Sequence, residues 1–420
     1  LPEPSTTVQS TRSEYGSYIN DHAGRQFIAA IARVIEEATF NELRTSKAWS
    51  LMIDESNTIS NEKNLAIVSR HILHNLPIFA IWELSNFKTL YHFGSDGARH
   101  VNGIAAQLKN RHPFLTEHHC ISHRLALASK DAAEQTSYFE TYDETVRQLY
   151  SYFSRSYSRL HALRMIQNTL NEPNLDILQV IKTRWLSLSN VVNNLYQIIN
   201  SVISALLEDA SKGQKTAQQL HNSIDDDFLI ATHFLADILS QLRRLSLIFQ
   251  ANYVSVSEVI MQVNAIIESI TTDFIGTTNV QPTFGTILLR FMKQNNILSN
   301  DLPLFIQEFA INTVTNIKLR FPDRDIINSF RIFDPKQLPT DRYSISVYGN
   351  AEIIKIGNFY GTSKKIAVIR SLLSNYRSLH FTTAWHNILR DSQDFSLIYP
   401  NIYIIISIIL CLPRSNAYVE

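Results

Sequence analysis

The chain has 420 residues, 45% of them hydrophobic, and its 38 Lys and Arg are balanced by 38 Asp and Glu. This composition excludes a disordered chain and predicts two or three domains of about 100–200 residues each, while a formal charge of zero removes any argument for nucleic acid or an anionic membrane from overall charge alone. Two cysteines far apart in sequence, Cys120 and Cys411, exclude a disulfide-stapled secreted module and predict a reducing compartment.

Residues Leu1 to Tyr18 have no apolar core and do not read as a signal peptide. With no initiator Met, and an end at Glu420 just after a hydrophobic element, the sequence reads as a fragment. Residues 1–44 form a first helical segment, in which Phe27, Ile31, Val34, Ile35, Ala38 and Leu43 fall at mostly helical spacing within Gln26–Leu43. The period then changes. Ala48–Asp54 and Asn64–Leu73 are dense in apolar and β-branched residues, with a polar turn between them, and predict two paired strands. Leu76–Leu84 reads as a third strand and Thr89–Phe93 as a fourth, ending at Gly94-Ser95-Asp96-Gly97.

From about Val101 the pattern is helical almost to the end. Tyr142–Leu163 and Asn190–Leu207 each place apolar residues on one face, and Phe228–Glu268 predicts two helices broken near Ala251–Ser257. Asp225, Asp226 and Asp227 precede this pair, where negative charge suits a helix N-terminus. Gly276–Thr283 and Tyr343–Ile356 read as loops. Ile402–Leu412, an apolar run of eleven residues between Pro400 and Pro413, is too short for the roughly 20 that span a bilayer, so it predicts a buried helix or strand in a protein with no membrane partner.

Four groups of residues could carry chemistry. Asp54 and Asp96 stand where an apolar strand ends, and a carboxylate there either caps the next element or pairs with a divalent cation. His118-His119-Cys120-Ile121-Ser122-His123 contains Cys-x-x-His, half of a zinc site; with no second Cys/His pair following, a buried Cys and a hydrogen-bonded His are expected and no structural zinc. Between Gly97 and Lys130 the bases Arg99, Lys109, Arg111, Arg124 and Lys130 face the single acid Glu117, a local charge of +4 that is either a phosphate-facing surface or an ordinary solvated face. Lys182-Thr183-Arg184-Trp185 precedes a strong helix; Trp185 either stacks on a base beside cationic Lys182 and Arg184 or anchors that helix in the core.

In chain order, SLMIDESNTISNEKNLAI (Ser50–Ile67), FGSDGA (Phe93–Ala98), NGIAAQLK with HHCISHRLALA (Asn102–Ala128), KTRWLSLSNVVNNL (Lys182–Leu195) and YPNIYIIISIILCLPRSNAYVE (Tyr399–Glu420) resemble the hAT superfamily of DNA transposases, in particular its domesticated, zinc-finger-bearing relatives. The resemblance implies an α/β RNase H-like core, a small mixed sheet, interrupted by a large all-α insertion. The first part of the core would occupy 45–125, the helical insertion 126–395, and the start of a C-terminal dimerisation region 396–420. It implies a DDE triad of Asp54, Asp96 and Glu420 that would hold two Mg²⁺ or Mn²⁺ ions roughly 4 Å apart for attack on a phosphodiester. It further implies DNA contacts through Cys120 and His123 of the Cys-x-x-His and through Lys182, Arg184 and Trp185, with Trp185 stacking on a flipped base.

Transposon-end DNA, a homodimer or higher homo-oligomer, and a nuclear location follow as expected partners and place. Two functions are carried forward: metal-dependent cleavage and strand transfer, or a catalytically inactive transposase-derived protein acting through dimerisation and DNA or protein binding. One feature conflicts with the implied core. Its third and fourth strands should be joined by a crossover of roughly a dozen or more residues, yet only Ser85–Lys88 separates the two apolar runs.

Overall fold

A computed structural model describes residues 21–57, 63–81, 90–95, 104–180, 188–250, 256–321, 325–360, 366–392 and 394–412. Five strands, β1 (Trp49–Asn57), β2 (Lys63–Leu73), β3 (Leu76–Ile81), β4 (Leu90–Ser95) and β5 (Thr116–His119), form one mixed sheet in the order β3-β2-β1-β4-β5. β1, β2 and β3 are antiparallel neighbours; β4 and β5 run parallel to β1. β2 and β3 are joined by a two-residue turn in which His74 and Asn75 both have positive φ, the backbone that matches the twist of a tight hairpin.

The four strands read from the sequence are therefore present, and β5 is an addition. Its four residues, TEHH, carry neither alternation nor a β-branched run, so only its place beside β4 makes it a strand. β4 lies on the far side of β1 from β3, with β2 and β1 between the two strands, which residues 82–89 join in sequence. Ile81 is level with Val68 and hence with Met52, while Leu90 is level with Trp49. The offset is three residues along the strands and three strand spacings across, under about 20 Å in all, which eight residues can span without a helix.

Most of the helices follow the sheet strands in sequence. α1 (Asp21–Thr45) and α2 (Ile104–Arg111) flank the strands, and α3 (Ile121–Glu134), α4 (Tyr138–Ser154), α5 (Tyr157–Leu170), α6 (Leu188–Ser211), α7 (Lys215–Asn222), α8 (Asp226–Gln250), α9 (Val256–Ile270), α10 (Ile287–Asn295) and α11 (Leu304–Arg320) form a large bundle. α12 (Asp325–Ser329), α13 (Arg342–Val347), α14 (Asn350–Tyr360), α15 (Ile366–Ser374), α16 (Phe381–Asp391), α17 (Phe395–Ile398) and α18 (Pro400–Leu410) complete the chain. Two stretches depart from expectation. Tyr142–Leu163 is two helices, because the Ser156 hydroxyl caps a new one by accepting from the Arg159 amide. Tyr343–Ile356 is helical rather than a loop: Asp341 caps α13 through the Ser344 amide, and Gly349, at φ 76°, turns the chain into α14.

The described core is divided. One apolar cluster runs from Leu125 to Ile317 through the bundle, with Tyr138 stacked on Phe305 at 4.0 Å and Phe139 against Phe309. A second joins Phe330, Phe333, Ile356, Trp385, Ile406 and Ile409, and Trp385 donates its indole N–H to the Phe333 carbonyl at 2.7 Å. The sheet is covered on both faces. Trp49, Leu51 and Ile53 of β1 pack with Leu43 of α1 and Phe93, while Ala48 meets Ile408 of α18 and Cys411 just after it. Burial on both faces is why β1 reads as an almost continuous apolar run. Among the described residues no helix is long and apolar enough to cross a membrane.

Candidate functional site

Parallel β1, β4 and β5 end on one edge of the sheet, the edge where open α/β sheets collect ligands. Asp54 is in β1, its backbone opposite Ala66 of β2 and two residues beyond Met52, which is opposite Gly94 of β4. β4 ends at Ser95, buried and immediately before Asp96 in the chain. Asp96 and Glu420 lie outside the described residues, as do Lys182, Thr183, Arg184 and Trp185. Two adjacent parallel strands thus carry Asp54 and lead into Asp96. Among the described residues no group of three His, Cys, Asp or Glu side chains gathers as a metal centre.

Cys-x-x-His stands beside this edge. Cys120 is buried where β5 passes into α3; its amide donates to the Ser95 carbonyl at 2.9 Å, and its own carbonyl accepts from the Arg124 amide at 2.9 Å. His123, half-buried, is in the first turn of α3. The backbone of the motif is therefore hydrogen-bonded to the residue that precedes Asp96. Cys120 makes no side-chain cap of α3.

The basic segment does not form an open cationic surface among its described members. Lys109 pairs with Glu117 at 3.2 Å, Lys130 with Glu134 at 3.5 Å, and Arg124 is buried with its guanidinium 5.7 Å from the Phe321 ring centroid. Arg111 is exposed in the last turn of α2. Sequence counting assigned all these charges to one surface; Arg124 leaves it because its partner is 197 positions away in the chain.

α18 closes the sheet face and brings in polar residues that the motifs do not mark. His92 on β4 is fully buried; its Nε2–H donates to the Ile408 carbonyl at 2.9 Å, and Nδ1 accepts from the Thr116 hydroxyl of β5. Burial above all, with Arg70 adding to it against the Ile408 hydrogen bond, lowers its pKa to about 3, so His92 is a neutral connector. Arg70 of β2, also buried, donates to the Leu412 carbonyl at 3.1 Å, and the Cys411 thiol, which burial pushes up to about 12, donates to the Ala48 carbonyl at 3.2 Å. No local sequence signal marks these partners, which lie hundreds of positions apart in the chain.

Residues 119–271, a little over a third of the chain, match the FAM200-GTF2IRD2-like family, described as the FAM200/GTF2IRD2 helical domain. The matched stretch begins at the last residue of β5 and takes in α3 to α9 of the bundle. That family is a domesticated, hAT-related one, and residues 119–271 of this chain are similar to it, which fits a transposase-derived protein.

Proposed function

We propose that this transposase-derived protein binds divalent cations, Mg²⁺ or Mn²⁺, at the carboxyl edge of β1 and β4, and that it cleaves and rejoins DNA phosphodiesters there. The observation that carries the reading is the parallel pairing of β1, which holds Asp54, with β4, which leads into Asp96. Glu420 completes the triad in this reading, and Lys182, Arg184, Trp185 and His123 hold the DNA, in keeping with the family match over 119–271. Bound metal would supply charge neutralisation at the phosphate and an activated water or 3′-OH. The chain's part in this reading is to bring Asp54 of β1 and Asp96, the residue after β4, to the same cation. Nuclear location and self-association belong to the same reading.

Titration of the full chain with Mn²⁺, followed by calorimetry, should show saturable binding. Asp54→Asn and Asp96→Asn should each weaken it by at least about tenfold without changing the melting temperature by more than a few degrees, and both should abolish Mn²⁺-dependent nicking of DNA carrying the cognate ends. Binding unaffected by either substitution overturns the proposal. A second reading, a non-catalytic protein that works by binding partners, draws on the pairing of Lys109 and Lys130 with acids and the burial of Arg124, which leave little open charge to grip a phosphate backbone. Absence of Mn²⁺ binding in the folded chain is the result that reading expects.

A further inference from the structure

α5 and α6 are joined by residues 171–187, more than the roughly 12–15 residues beyond which an irregular connection in a compact domain is uncommon. Its described strap, 172–180, has no helix or strand, yet it is held at several points. The Glu172 carboxylate accepts from the Ser201 amide at 3.1 Å and from the Asn200 side chain at 3.0 Å, both on α6. Further along, Gln167 of α5 donates to the Leu175 carbonyl at 2.8 Å, and Asn194 of α6 donates to the Asp176 carbonyl at 3.0 Å. Ile177 and Val180 are buried in the bundle core. Irregular backbone that is buried needs partners for its polar groups, and here side chains of three helices serve its carbonyls.

The end of the strap is held by a two-sided clamp. Arg147, in the middle of α4, donates from Nη1 to the Val180 carbonyl at 3.1 Å. Asp143, one turn earlier, grips the rest of the guanidinium, with Nε at 2.7 Å and Nη2 at 3.3 Å from its two carboxylate oxygens. A planar fork held on both oxygens fixes the direction of the N–H that remains. Beyond the strap, Leu188, the first residue of α6, is buried in the same core. Both ends of 181–187 are therefore fixed to the bundle. Lys182 stands two residues after Val180 in the chain, and Trp185 three before Leu188.

We propose that Arg147, oriented by Asp143, is a positioning residue for DNA: it fixes the point from which the chain presents Lys182, Arg184 and Trp185, which themselves lie outside the described residues. This rests on the DNA contacts proposed above. Arg147 is not itself a phosphate ligand, because all three of its nitrogens are engaged by Asp143 and Val180. Glu172, Gln167 and Asn194 already support the body of the strap, and the charged clamp stands at the end nearest the basic stretch. A stacking ring on an unanchored loop would have to be ordered at the moment of binding, and that entropy cost weakens affinity.

Binding of the full chain to a fluorescein-labelled DNA duplex with a single-stranded end, followed by anisotropy, tests the role. Trp185→Ala should weaken binding by roughly tenfold, as expected for the loss of one stacked base. Arg147→Met, which keeps an unbranched side chain but no donors, should weaken it by a similar factor. The two together should fall within about twofold of Trp185→Ala alone, because both remove one function. Arg147→Met should also lower the slope of log affinity against log salt by as much as about two, through the lost contacts of Lys182 and Arg184. Asp143→Asn should give a smaller loss of the same kind, and it serves if Arg147→Met unfolds.

Asn194→Ala, which removes the anchor at Asp176, is the comparison for a merely structural part. It should lower the melting temperature as Arg147→Met does, yet leave affinity within about twofold of the wild type. Equal losses of affinity from Asn194→Ala and Arg147→Met, or additive losses from Arg147→Met and Trp185→Ala, would overturn the proposal. Full affinity in folded Arg147→Met beside weakened Trp185→Ala would overturn it alone and leave the DNA contacts standing. Full affinity in Trp185→Ala would overturn those contacts and this role with them.

Discussion

His92 is the residue on which the junction of β4, β5 and α18 turns. It is neutral in the folded chain at any pH above about 3, because protonation would leave a buried cation beside Arg70 and remove the acceptor at Nδ1. In the unfolded chain it titrates near 6.5. The unfolded state therefore binds the extra proton between those values, and stability, complete above about pH 6.5, is lost as pH falls. From pH 7.5 to 5.5 the loss from this residue should be about 1.4 kcal/mol, measured by urea denaturation. His71 and His233, which burial also lowers, add in the same direction. His92→Leu should flatten the dependence and cost about 1–3 kcal/mol at pH 7.5, since the Ile408 carbonyl loses its donor. Nothing in the tripeptide Tyr91-His92-Phe93 distinguishes this histidine from one on the surface; both its partners come from other elements, one of them 316 positions away.

Among elements, the joint between α8 and α10 shows how one side chain starts a distant helix. Asp237, in the middle of α8, is buried, and its carboxylate accepts from the amides of Thr286 at 3.3 Å, Ile287 at 2.9 Å and Leu288 at 2.8 Å, the orphan donors at the start of α10. Gly285 makes the approach possible. Its φ is +68°, and a β-carbon there would lie 2.7 Å from the Asp237 carboxylate. Asp237→Ala should lower stability by about 2–3 kcal/mol in a denaturant melt. Asp237→Asn should cost less, because it keeps one acceptor while shedding a charge that burial pushes toward protonation. Gly285→Ala should also destabilise, by at least about 1–2 kcal/mol, and should do so less in the Asp237→Ala background, where the clash with the carboxylate is gone.

Element type was legible where periodicity was strong. α6, α8 and α9 fall where apolar spacing placed them, and Asp225 caps α8 by accepting from the Phe228 amide at 2.8 Å. β5 and α13 were not legible: one is too short to show a period, and the other depends on a cap that a count of loop-forming residues overlooks.

For the whole molecule, the bundle core extends past the stretch that matches the helical family. α11 lies outside 119–271, yet Phe305, Phe309 and Ile317 belong to the same cluster as Leu125 and Phe234. α11 is also tied to α3, through Arg320 on Asp131, with its Nε at 3.0 Å, and through Asn316 donating to Gln135 at 2.9 Å. Residues 119–271 produced alone should therefore expose a large apolar face and lack a cooperative thermal transition. Residues 119–321 should melt cooperatively, because they contain the whole cluster. Similar melting of the two fragments would refute this division.

By itself, the sequence determined most of the strands and the long helices and many apolar positions of the core, because these depend on period and composition within short windows. Only the tertiary structure decided that β4 lies parallel beside β1 rather than next to β3, that Arg124 turns inward to Phe321, and that α18 covers the sheet. It also decided that the apolar stripe of α1 faces outward while similar stripes on α6 and α8 are buried. Periodicity states that a face must be covered, but pairing, charge partners and the choice of covering surface depend on residues hundreds of positions away.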